Sequence, residues 1–207
     1  MDRAIRQPLS VLGCVSGRFQ PFHDDHLSLV RHALGQVRHL IVAITNPDAR
    51  SLTSIRQSAH RHLPSANPFT WFERLQMIVA ALDAEGVART RYSVAPLPLD
   101  APDTWHAYVP AHAIQFVRVF SDWEREKVRR LEAGGYSTIA LEGDPHRRIH
   151  AAHLRADMAA RGRAWCQQVP VGTRKVLLDM DADALVRRCS IDAGCIHDTP
   201  DVMEGGR

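Results

Sequence analysis

Short apolar runs alternate with helical periodicity along this chain, and that alternation leaves few folds open to it. The runs at 11–15, 40–44, 92–97, 114–120 and 138–141 read as buried strands, since strands covered on both faces have little polar side to show. Between them, helical patterns fall at about 24–35, 70–85, 122–133 and 150–161. Strands and helices in strict turn imply an α/β chain: a doubly wound parallel sheet with helices on both faces and right-handed crossovers. Ligands of such sheets bind beyond the carboxyl ends of the strands, near the point where strand order reverses.

The first such end carries the densest chemistry. Gly17-Arg18-Phe19-Gln20-Pro21-Phe22-His23-Asp24-Asp25-His26 follows the first strand and opens the first helix. A glycine at a strand end lets backbone approach a ligand, and a helix N-terminus offers unpaired N–H groups and the positive end of its dipole to an anion. His23 and His26 are spaced to share a helical face, so both imidazoles can meet one phosphate chain, with Arg18 as a fixed-charge clamp.

This segment resembles the GRFQPFHxGH signature of the nucleotidyltransferase superfamily, in particular the branch typified by archaeal-type nicotinamide mononucleotide (NMN) adenylyltransferases. Asn67-Pro68-Phe69-Thr70-Trp71-Phe72-Glu73-Arg74 is similar to that branch's NPFT-x-x-ER segment, and Trp105 stands where it carries a substrate-stacking Trp. Ile149-His150-Ala151-Ala152-His153-Leu154-Arg155 falls at its ISxTxxR-like motif, followed by Gly162, Trp165, Val169 and Pro170 in matching order. The resemblance covers roughly residues 10 to 178 and implies a Rossmann-like nucleotidyltransferase fold over 1–186, with 187–207 a patternless tail. It implies catalytic roles for Arg18, His23, His26 and Arg155, and nucleotide contacts from Gly17, Phe19 and Gln20; Asp25 inside the first motif, Trp123 just past the strand at 114–120 and His153 inside the second motif are further nucleotide-side candidates by their position. Asn67, Phe69, Glu73, Arg74, Trp105 and His60 are the acceptor-side candidates.

Two positions depart from the pattern. The glycine of HxGH is Asp25 here, a carboxylate beside an expected polyanion. Repulsion of about 1 kcal/mol at 4 Å in water grows several-fold in a drier site, so Asp25 must point away, pair with an arginine, hold a ribose hydroxyl or help bind a metal. The second motif has His150 and Ala152 in place of Ser and Thr but keeps Arg155, with Arg147 and Arg148 just ahead.

Other candidates have bland alternatives. Thr70 and Glu73 match a capping box, which competes with substrate binding for Glu73. Trp105 follows a turn-rich stretch and is expected at the site rim, although a bare aromatic is more often core. Residues 46–68 show no period and suit either a lid, with His60, Arg61 or His62 reaching an anion, or a surface insertion.

A formal charge of +3 over 207 residues is too mild to imply nucleic acid as a partner. Cys14, Cys166, Cys189 and Cys195 form no CxxC or zinc-finger spacing, so reduced thiols are expected. With no signal-like or membrane-length apolar run, the expected location is cytoplasmic. There is no G-x-x-x-x-G-K-[ST] loop and no recognisable Ser or Cys nucleophile set. The resemblance therefore implies direct attack of a phosphate or phosphonate oxygen on the α-phosphorus of a nucleoside triphosphate, with Mg²⁺ bound through the triphosphate. The favoured reading is CTP-dependent transfer to a small, phosphonoformate-like phosphonate in antibiotic biosynthesis of the phosphinothricin type. NMN adenylyltransferase is the alternative, and a non-catalytic nucleotide-binding regulator, motivated by Asp25, is the alternative of another class. The branch also implies an enzyme able to form homo-oligomers.

Overall fold

The computed structural model describes residues 10–48 and 63–195. Five strands, β1 (Ser10–Gly17), β2 (Val37–Thr45), β3 (Tyr92–Leu97), β4 (Ile114–Val119) and β5 (Thr138–Glu142), form one sheet. Their order is β3-β2-β1-β4-β5, and every neighbouring pair is parallel. The expected strands are all present. β2 starts earlier than its apolar run because Val37 is buried and pairs with Ser10, while Arg38 beside it is exposed.

Alternate side chains along each strand enter opposite cores, as a two-residue period requires. Val15, Val42, Ile44 and Phe116 pack on one face; Cys14, Ile41, Ala43, Val117 and Val119 pack on the other. The first face is covered by α1 (Asp24–Leu34), α2 (Trp71–Ala84) and α5 (Ala151–Ala159). The second is covered by α3 (Trp105–Tyr108) and α4 (Asp122–Ala133), through Trp105 and Leu131. The sheet is thus doubly wound, and its order reverses between β1 and β4, which places a crevice beyond their carboxyl ends.

Three helices lie outside the expected pattern: the one-turn α3, α6 (Val171–Asp179) and α7 (Ala182–Cys195). The buried face of α6 is Gly172, Thr173 and Leu177, so small residues hide its period. In α7, buried Ala182 and Val186 have helical spacing, and the helix continues through Arg187, where a patternless tail was expected. Residues 196–207 lie outside the described residues. None of the described helices is long and apolar enough to cross a membrane.

Candidate active site

At the end of β1 the chain turns sharply at Phe19, whose φ of 54° is left-handed, a conformation that a bulky residue holds only when its surroundings fix it. Its ring folds back under Gly17, where an added Cβ would lie 2.7 Å from it. Gln20 then clamps the Phe69 backbone from both sides: Nε2 donates to Phe69 O at 2.8 Å, and Oε1 accepts Phe69 N–H at 3.0 Å. This anchors the β1–α1 turn to the segment ahead of α2.

His23 is the N-cap of α1, and His26 Nδ1 accepts the His23 N–H at 3.2 Å. The two rings stack with centroids 3.6 Å apart, and Phe19 meets His26 edge-on at 4.9 Å. Burial lowers His23 to about 3, helped by the charges of Arg148 and His150. His26 is likewise held well below its ordinary value, by burial first and then by His23, Lys127, Arg148 and Arg18. Both imidazoles are therefore neutral. Because Nδ1 of His26 accepts, its proton resides on Nε2, leaving a neutral N–H donor. Nδ1 of His23 is buried and makes no hydrogen bond of full geometry, while the His23 and His26 side chains face each other's backbone N–H groups in a capping-box arrangement.

These residues form one wall of a cavity of about 320 Å³ between the ends of β1 and β4. The other wall comes from the end of β4, the start of α4 and the segment before α5. Lys127 Nζ donates to Ser16 O at 2.6 Å, and Arg148 Nη2 pairs with Glu124 Oε1 at 2.8 Å while its guanidinium lies over the Phe120 ring. Arg118 Nε is buried without a partner. Fixed cations thus outnumber the lining carboxylates Asp25 and Glu124, an arrangement that favours a polyanion.

Of the candidate residues, Gly17, Arg18, Phe19, Gln20, His23, Asp25, His26, Trp123 and Arg155 all line this cavity. Several have structural duties there. Arg155 donates from Nη1 to Gln20 O at 2.7 Å and from Nε to Ser65 O at 3.1 Å; burial lowers it to about 10, so it remains a cation. Asp25 Oδ2 accepts the Ile149 N–H at 2.7 Å. Arg18 reaches towards Ala66 O and Asn67 Oδ1, both at 3.4 Å.

The remaining candidates among the described residues lie off the cavity. Trp105 is in the α3–α4 core rather than at the rim, because its indole N–H is satisfied by Pro98 O at 2.7 Å and its ring packs near Tyr136. His153 is exposed, its ring 5.2 Å from that of His150. Arg74 spends its guanidinium on Arg18, Thr45, Asn46 and Thr70 carbonyls, staples between β1, β2 and α2 rather than contacts for an acceptor. Glu73 completes the α2 capping box with Thr70, Phe69 is core, and Asn67 Nδ2 binds Leu63 O. His60 and most of the proposed lid lie outside the described residues. Lys127, Arg118 and Glu124 were not anticipated. They sit on a charge-rich helix and the strand before it, where the sequence pattern resembles a solvated face.

A doubly wound parallel sheet with a cation-lined cavity at its switch point is an α/β architecture whose site suits a polyanion. No protein-family model matches the chain. The phosphonoformate cytidylyltransferase of Streptomyces viridochromogenes is 33% identical over 175 residues, covering 84% of this chain and 95% of that one. The nicotinamide-nucleotide adenylyltransferase of Ignicoccus hospitalis is 27% identical over 83% of this chain and 92% of its own. Among solved structures, a bifunctional NMN adenylyltransferase/ADP ribose pyrophosphatase from Francisella tularensis, complexed with AMP and a manganese ion, shares the fold. Its TM-score is 0.64 at 17% identity over 91% of this chain, which spans 54% of that protein. The chain belongs to the nucleotidyltransferase family, and it is an enzyme of that class.

Proposed function

We propose that this enzyme transfers a cytidylyl group from CTP to an oxygen of a small phosphonate of the phosphonoformate type, in the cytoplasm and within antibiotic biosynthesis. The observation that carries the reading is the stacked, neutral pair His23 and His26 facing fixed cations across one cavity. The acceptor oxygen, already ionised, attacks the α-phosphorus; the new O–P bond forms as the bond to the bridging oxygen breaks and pyrophosphate leaves. Such an acceptor needs no general base, so catalysis reduces to positioning and charge stabilisation. The neutral His26 Nε2–H donates to charge gathering on phosphate oxygens without itself giving up a proton, while Arg18, Arg155 and Lys127 supply fixed positive charge.

We expect the divalent ion to enter this site together with the substrate. No cluster of three or more potential ligand side chains occurs among the described residues, and the lining carboxylates Asp25 and Glu124 are engaged by Ile149 N–H and Arg148. On this reading Mg²⁺ is bound through the triphosphate, neutralising part of its charge.

The cytidylyl reading is supported by the 33% identity to the phosphonoformate enzyme, and by Trp105, whose burial removes the ring expected to stack on a nicotinamide. NMN adenylyltransferase is kept as the second reading because relatives of that name match across most of the chain. Crossing ATP, CTP, GTP and UTP with NMN, nicotinate mononucleotide and small phosphonates, and measuring pyrophosphate, separates the two. CTP with a phosphonate should give the fastest release. Release confined to ATP with NMN would establish the second reading instead.

A further inference from the structure

Asp25 is one of two acids in the first turn of α1, where negative charge is favourable against the helix dipole. That role asks only for charge near the helix end and leaves the direction of the carboxylate open. Here the carboxylate is aimed. Oδ2 of Asp25 accepts the Ile149 N–H at 2.7 Å, joining parts of the chain 124 residues apart, and Asp25 also lines the cavity.

Ile149 stands between Arg148 and His150, both on the cavity wall. Arg148 is fixed sideways by Glu124 and by the Phe120 ring. His150 is the N-cap of α5, the helix that carries Arg155. The Asp25 bond therefore runs from the helix that His23 caps and that bears His26 to the segment that sets the opposite, cationic wall. The bond from Arg155 to Gln20 O is a second tie between the same two regions.

We propose that Asp25 is a positioning residue for nucleotide binding: through Ile149 N–H it holds the Arg148–His150 segment where both walls grip one phosphate chain. The inference rests on the nucleotidyl-transfer reading. It has a sign of its own. A carboxylate without this duty would only repel a polyanion, and removing it would tighten binding; a carboxylate that positions the wall weakens binding when it is lost.

Two variants separate these outcomes. Asp25→Asn removes the charge but keeps an oxygen that can accept the Ile149 N–H, whereas Asp25→Ala removes both. Calorimetric titration of the full chain with Mg·CTP and Mg·ATP, alongside the thermal unfolding of each variant, is the experiment. For the nucleotide that wild type binds, Asp25→Asn should bind as tightly as wild type or tighter. Asp25→Ala should bind about ten-fold or more weakly, the scale of losing one charge-assisted hydrogen bond, with an unfolding temperature close to wild type. If Asp25→Ala does not fold, Asp25→Ser replaces it, since a hydroxyl one atom shorter cannot span to Ile149. Equal binding by the Asn and Ala variants, or equal weakening of both, overturns the positioning role while the activity reading stands. Failure of wild type to bind either nucleotide overturns the activity reading and this inference with it.

Discussion

His23 and His26 show how far a residue's type and its environment each contribute. Their spacing at the start of α1, His23 as its N-cap and His26 in its first turn, made them anion-binding candidates, and the structure adds that both are neutral. The neutrality has a measurable consequence. His23 is lowered from 6.5 to about 3 by burial, so between those values the unfolded chain binds a proton that the folded chain refuses; His26 shifts in the same direction. Stability is then whole above about pH 6.5 and is lost as pH falls towards 3. Urea unfolding between pH 7.5 and 5 should show a falling free energy, and His23→Asn should flatten the slope; a level profile in wild type would contradict the buried neutral pair. Gln20, Arg74 and Arg155 make the complementary point. Their residue types suggested ligand contacts, yet their partners are backbone groups as much as 135 residues away. No local pattern encodes such pairings, so sequence alone located these side chains near the site without revealing that they build it.

Among the elements, the strands were the most legible, because a strand buried on both faces writes a continuous apolar run. Helix α6 was not legible. It approaches α2 through Gly172, whose added Cβ would fall 1.9 Å from Ala80 O, and Thr173 Oγ1 donates to Met77 O at 3.2 Å. Close packing through small residues leaves no large apolar stripe for periodicity to detect. It does leave a sensitive contact. Gly172→Ala should push α6 off α2 and cost about 2–3 kcal/mol, lowering the unfolding temperature by roughly 5–10 °C in a chain of this size. A thermal scan within a degree of wild type would mean that the two helices are less tightly joined than described. Trp105 is the reverse case. A turn-rich approach suggested the rim, whereas its buried indole and satisfied N–H belong to the α3–α4 core.

For the whole molecule, a mild net charge of +3 concealed a concentrated one. Arg18, Arg118, Lys127, Arg148 and Arg155 come from three separate stretches of chain and converge only because β1 and β4 are neighbours at the switch point. Topology thus assembles the cationic cavity that composition dilutes, and the first motif supplies only one of its two walls. The central claim is that this site moves a nucleoside monophosphate. Incubating the enzyme with CTP labelled at the α- or the γ-phosphorus, with a small phosphonate and Mg²⁺, tests it most directly. The α-label should pass to the acceptor and the γ-label should leave in pyrophosphate, with His26→Ala slowing both by about 100-fold or more. Appearance of the γ-label in the acceptor, or no transfer of α-label to phosphonate or NMN from either CTP or ATP, would contradict it.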